Sequence, residues 1–140
     1  MNLVDVVSTR SKDRSTQVGA VFVGPDNEIR STGYNSFPRG LRDDVEARHE
    51  RPEKYLWTEH AERNAIYNAA RMGTCLKGCR VYIPFAPCMD CARGIVQVGC
   101  TEVIAGVIDE NSPLYQRWQE DFKRVGPLFD ETGVRLRWFK

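Results

Sequence analysis

His60-Ala61-Glu62, followed after an interval by Pro87-Cys88-Met89-Asp90-Cys91, is the pair of stretches from which this 140-residue chain is best read. They offer one imidazole, two thiols and a carboxylate that need not touch a metal. Three protein ligands leave the fourth position of a zinc ion open, the arrangement of a catalytic site rather than a structural one. Cys-x-x-Cys spacing brings both sulfurs to one side of a helical turn. On a first turn, unpaired backbone N–H groups and the positive end of the helix dipole favour thiolate over thiol. Glu62, two residues beyond His60, can reach past the metal to its bound water, whose pKa zinc lowers, and can carry that water's proton.

Taken singly, each element has a plainer reading. A Cys-x-x-Cys is often half of a structural zinc site or a redox pair. A buried histidine is often only hydrogen-bonded in a core, and a glutamate on a first helical turn is often a cap. Their coincidence, with no fourth ligand in either cluster, favours the catalytic reading. Both halves are expected where a strand gives way to a helix.

The flanking sequence supplies those elements. Val18–Val23 is an apolar β-branched run and Glu28–Tyr34 alternates; Gly24-Pro25-Asp26-Asn27 between them predicts a hairpin turn. Apolar residues recur at helical spacing from Glu59 to Met72, and Gly73 ends the pattern. Arg80–Pro84 reads as a strand, Asp90–Val98 as a helix closed by Gly99, and Glu102–Ile108 as a buried strand. Leu114–Glu131 is helical in character and Val134–Trp138 a final strand. A hairpin followed by alternating helices and strands implies crossovers and a mostly parallel, helix-covered sheet, a three-layer α/β/α fold.

Length and composition narrow the function. One domain over residues 1–140 is expected, large enough for a hydrophobic core. Lys+Arg 20 against Asp+Glu 19 gives net charge +1. The basic surplus typical of proteins that hold nucleic-acid backbones is missing, so a small-molecule substrate is expected and no nucleic acid. No apolar run approaches a membrane span and no leader opens the chain, which predicts a soluble cytoplasmic protein. Five cysteines suit metal binding better than a disulfide framework. Tyr55, Leu56 and Trp57 are expected to return the chain to the core after the charged run Asp43–Lys54. Cys75, Cys79 and Cys100 are expected to be buried or half-buried, and Trp118 to serve core or subunit packing. Tyr115 is a candidate to close over a nucleotide.

With these residues in place, the chain resembles the cytidine/deoxycytidylate deaminase superfamily, and within it the deoxycytidylate deaminases. H-x-E…P-C-x-x-C is the signature of zinc-dependent nucleobase deaminases. Ser11-Lys12-Asp13 with Gln17-Val18-Gly19-Ala20, Gly33-Tyr34-Asn35 with Pro38-x-Gly40, His60–Ile66 and Pro87–Ala92 are similar to that family's motifs, a likeness running from about Arg10 to Trp138. The resemblance implies a central five-stranded mixed sheet with the two zinc-bearing helices beneath it. It implies His60, Cys88 and Cys91 as ligands of one Zn²⁺, Glu62 as proton shuttle, and Asn35 and Ala61 as substrate contacts. Ser11 and Lys12 would form the 5′-phosphate pocket. The implied reaction is dCMP + water → dUMP + ammonia on a free nucleotide, in a dimeric or hexameric homo-oligomer. The nearest alternatives are a deaminase of another base or carrier and a non-catalytic zinc module.

Three departures stand out. Ser36 replaces the second glycine of the family's GYNG loop, which in regulated members belongs to a Mg²⁺–dCTP effector site and which a side chain would narrow or rewire. Only about ten residues precede Ser11. Pro84-Phe85-Ala86 stands where the base is expected to sit, which would shift substrate preference.

Overall fold

The computed structural model describes residues 2–139. A short helix α1 (Asn2–Ser8) leads into β1 (Gly19–Val23) and β2 (Ile29–Tyr34). A 3₁₀ turn over Glu46–Arg48 and a single helical turn, α2 (Lys54–Trp57), precede α3 (Ala61–Met72). β3 (Arg80–Ile83), α4 (Met89–Gln97), β4 (Glu102–Gly106), α5 (Pro113–Thr132) and β5 (Arg135–Phe139) then alternate.

The five strands form one sheet in the order β2-β1-β3-β4-β5. β1 runs antiparallel to both β2 and β3, while β3, β4 and β5 are parallel. The sheet is therefore mixed, with two antiparallel and two parallel strand pairs: β1 alone runs against the other four strands, and the α3 crossover carries the chain from β2 past β1 to a β3 of the same direction.

Side-chain alternation assigns the two faces. Ala20, Phe22, Val81, Ile83, Val103 and Ala105 point into the main core, where Ala61, Ala65, Ala69, Ile95, Val125 and Phe129 of the following helices meet them. The glycine between sheet and α3 is decisive: a methyl group at Gly33 would overlap the Ala61 carbonyl oxygen and the Ala65 amide nitrogen. β2 and the start of α3 thus approach at backbone distance. Ser31 Oγ donates to the Ala65 carbonyl at 2.6 Å, and the Asn64 and Asn68 amides donate to the Tyr34 and Thr32 carbonyls, each at 2.7 Å. On the other face α1 lies against β1, where a Cβ at Gly19 would strike Val4 and Ser8 backbone.

Several local expectations change. No strand runs directly into His60; α2 and an isolated antiparallel bridge between Ser36 and Glu59 hold that junction. Tyr55, Leu56 and Trp57 stay exposed, because the residue α2 buries is Lys54. Cys75 is exposed, while Cys79 and Cys100 are buried. No helix among the described residues is long and apolar enough to cross a membrane.

Candidate active site

Two helix N-termini build the site. His60 is the N-cap of α3 and Cys88 the N-cap of α4, both with extended backbone, so their side chains project ahead of the helices. The bridge to Ser36, with N–H···O distances of 2.9 and 3.1 Å, fixes the residue just before His60. Cys91 follows on the first turn of α4. His60 Nδ1 lies 3.4 Å from Cys88 Sγ and 3.6 Å from Cys91 Sγ, and the three donor atoms fall within 4.8 Å of one another. One imidazole nitrogen and two sulfurs, with no fourth side chain joining the cluster among the described residues, match the donor set of zinc with one position free.

The electrostatics fit that use. The Cys88 thiol is held down to about 4, first by the hydrogen bond from Cys91 and then by His60, which outweigh its burial. Cys91, bonded to Cys88 and buried, is pushed up; the imidazole of His60 is raised by its bond to Cys88. Glu62 is nearly solvent-free, and burial raises its carboxyl above the usual range. Such a group keeps a proton more readily than an exposed glutamate, the condition for a side chain that must both take and give one. Next to it, burial works against the Arg63 charge but is outweighed by Glu59, 2.8 Å away, and by the neighbouring thiols. Arg63 also reaches Asp90 of α4 at 3.3 Å, tying the two helix starts together.

Two adjoining cavities open at this point. The smaller, about 90 Å³, is lined by His60, Ala61, Glu62, Phe85, Ala86, Cys88 and, from α5, Leu114, Arg117, Trp118 and Phe122. The larger, about 540 Å³, lies between the Arg10–Ser15 segment, the Tyr34–Leu41 loop and the Arg48–Lys54 stretch. Asp13, Asn35, Arg51, Lys54 and Thr58 belong to both. Arg10, Arg39, Arg48 and Arg51 in the larger cavity have no carboxylate partner among the described residues.

Against the sequence reading, His60, Cys88, Glu62, Ala61 and Asn35 line the smaller cavity, and Cys91 stands behind that lining with its sulfur in the donor cluster. Ser11 and Lys12 do not line it. Ser11 is buried; its hydroxyl donates to the Asn35 carbonyl at 2.7 Å and accepts from the Asp13 N–H at 3.1 Å, away from both cavity linings. Lys12 is exposed and paired with Asp43 on the rim of the larger cavity. Asn35 accepts from the Val18 N–H at 2.8 Å and donates to the Thr16 carbonyl at 2.9 Å, so it braces the cavity wall as well as facing it. Phe85 and Ala86 line the cavity as expected, whereas Pro84 and Tyr115 do not. Lys54, Arg51 and Trp118 were not readable as site residues. Lys54 and Arg51 sit in a mixed charge run, and Trp118 shares its helical face with core positions.

Comparison with known proteins agrees with this geometry. Residues 1–107 match the cytidine and deoxycytidylate deaminase zinc-binding region. The chain is 43% identical over 135 residues to the deoxycytidylate deaminase of Pongo abelii, covering 93% of this chain and 71% of that protein. It is 38% identical over 136 residues to an uncharacterized deaminase in the luxG 3′ region of Aliivibrio fischeri, covering 97% and 88%. Its fold overlays that of the dCMP deaminase from cyanophage S-TIM5, solved in complex with dCMP and dUMP, with a TM-score of 0.76 at 21% identity over 99% of this chain and 92% of that one.

Proposed function

Because the chain belongs to the cytidine and deoxycytidylate deaminase family, we propose that it removes the 4-amino group of a free cytosine nucleotide by hydrolysis, dCMP + water → dUMP + ammonia. The observation that carries the reading is the His60–Cys88–Cys91 donor cluster beside the buried carboxyl of Glu62, in a cavity sized for a base.

His60, Cys88 and Cys91 would hold zinc, which when bound would supply Lewis-acid activation of water near neutral pH. Glu62 takes the proton of the attacking water at its carboxylate oxygen. It passes that proton to the ring nitrogen beside C4, then takes the remaining proton of the added water from the new C4 hydroxyl and gives it to the amino group, so that the C4–N bond breaks, ammonia leaves and C4 becomes a carbonyl. Phe85, Ala86 and the α5 side chains exclude bulk solvent, which strengthens these charge interactions.

The 5′-phosphate is assigned to Lys54 and Arg51 rather than to Ser11 and Lys12. Lys54 and Arg51 reach both cavities, and Arg51 carries no carboxylate partner among the described residues. The larger cavity also has room for the Mg²⁺–dCTP effector of regulated family members, although Ser36 adds a side chain whose hydroxyl accepts from Asn64 at 3.1 Å. A cytoplasmic homo-oligomer remains part of this reading, consistent with the exposed Leu3 and Val6 of α1.

The test is ammonia release by zinc-loaded protein across dCMP, CMP, deoxycytidine, dCTP and guanine, repeated with Glu62→Gln. Preference for dCMP, with turnover falling by a factor of about 10²–10⁴ in a variant that still holds zinc, is expected. Undiminished turnover in that variant would rule Glu62 out as the shuttle. Release from none of the substrates would return the non-catalytic module.

A further inference from the structure

α5 lies beyond residues 1–107, the stretch that matches the family, yet one face of it touches both halves of the metal site. Trp118 meets the His60 ring edge to face, with centroids 5.6 Å apart and planes at 87°. Asp121, three residues on and so on the same side of the helix, accepts from the Met89 N–H at 3.3 Å. Met89 stands between Cys88 and Cys91. Its N–H is among those at the start of α4 that the helix itself leaves without a partner.

A metal-binding histidine is ordinarily oriented by a hydrogen bond from the ring nitrogen that does not face the metal. Here Nδ1 faces the sulfurs, and Nε2 has no hydrogen-bond partner among the described residues. The constraint on the ring plane comes from packing instead. Trp118 is itself wedged by Tyr55 of α2, whose ring centroid lies 6.2 Å away at 89°. On the other half, the Asp121 carboxylate fixes the turn that presents both sulfurs, at a helix end where negative charge is favoured.

We propose that Trp118 and Asp121 are positioning residues for the His60–Cys88–Cys91 site: Trp118 holds the imidazole plane, and Asp121 holds the turn carrying the two thiols. The inference rests on the zinc reading above. It assigns to α5 the orienting task that a hydrogen bond to the histidine performs elsewhere.

Zinc affinity, measured by competition with a chromophoric chelator, tests it in Trp118→Phe, Trp118→Ala, Asp121→Asn and Asp121→Ala, alongside kcat, KM for dCMP and thermal melts. The two alanine variants should each lose about 10–100-fold in zinc affinity, as losses of outer-shell partners do. Phe keeps an aromatic face and Asn an acceptor oxygen, so those variants should stay near the parent protein. Should Trp118→Ala fail to melt cooperatively, Trp118→Leu, which fills the space without an aromatic face, is read in its place. Zinc affinity unchanged in folded alanine or leucine variants would overturn the proposal. So would a raised KM alone, which would leave Trp118 a cavity wall. If the parent protein itself binds no zinc, the underlying reading fails, an outcome distinct from failure of α5 alone.

Discussion

Lys54 Nζ lies 2.8 Å from Asp13 Oδ2, in the wall shared by the two cavities, with both side chains almost shielded from water. A second N–H of the ammonium goes to Ser15 Oγ at 2.9 Å. One donor is left over among the described residues, which is what an anion entering the cavity needs. The pair does two jobs, joining the Arg10–Ser15 segment to α2 and holding an ammonium N–H donor beside the base site.

Breaking the pair from one side should be costly. Lys54→Met leaves the Asp13 carboxylate buried without its counter-charge, a loss of about 3–5 kcal/mol. The double replacement Lys54→Met with Asp13→Leu should regain much of it, because neither charge then needs solvating. Denaturant unfolding of the three proteins measures both steps, and an unaltered midpoint for Lys54→Met would contradict the burial of the pair.

The same pair gives a pH signature. Burial alone would raise the Asp13 carboxyl, but Lys54, the Thr16 and Ser15 N–H groups and the Ser15 hydroxyl together hold it down at about 2. The unfolded chain binds that proton near pH 3.9. A depressed folded pKa stabilises above the unfolded value, so about 2 kcal/mol should be present above pH 4 and disappear as the pH falls toward 2. Asp13→Asn should flatten that part of the stability–pH curve; an unchanged acid limb would place the titration elsewhere.

Much of the fold was legible because its elements obey strong local patterns. Gly24-Pro25-Asp26-Asn27 marks the hairpin, and Gly73 and Gly99 take the positive φ that ends α3 and the α4 segment. The metal cluster was legible for the same reason, since Cys88 and Cys91 occupy one turn and His60 caps the neighbouring helix. The buried Lys54–Asp13 pair in the cavity wall was not. Lys54 is indistinguishable by composition from the solvated lysines around it, and its burial depends on Asp13, 41 residues earlier in the chain. Trp118 and Phe122 share a helical stripe with Val125 and Phe129, but only the latter two enter the core. Periodicity cannot separate a stripe that fills a core from one that ends in a cavity.

Gly33 should tolerate no side chain. In Gly33→Ala the new methyl would lie 2.9 Å from Ala65 Cα and overlap backbone atoms of α3 that have no rotamer to change. Either β2 or the start of α3 must move, at a cost of about 1–3 kcal/mol or more. Because His60 and Glu62 sit at that end of α3, turnover should fall with stability. Thermal melts together with kcat for dCMP check this, and full activity at an unaltered melting temperature would contradict the close packing.

Arg51→Gln separates phosphate from base recognition. Arg51 donates to Tyr55 Oη at 2.9 Å and Ser15 Oγ at 3.1 Å, neither of which neutralises it. Removing a charge-assisted contact worth about 1.5–3 kcal/mol should raise KM for dCMP roughly 10–100-fold. The KM for deoxycytidine, which carries no phosphate, should hardly change. Equal losses on both substrates would make Arg51 a structural support of the wall instead.

Metal removal reads the site through stability as well as activity. Zinc bound by His60 of one helix start and by Cys88 and Cys91 of the other stabilises only the folded chain, in which those donor atoms are assembled. At free zinc about a thousandfold above its dissociation constant, the gain is about 4 kcal/mol. Chelation should therefore abolish ammonia release and lower the melting temperature together, and added Zn²⁺ should restore both. Cys88→Ser should behave as the chelated protein does and resist rescue. A melting temperature indifferent to chelator and zinc would show that the three donors do not share an ion, and the catalytic assignment would fall with them.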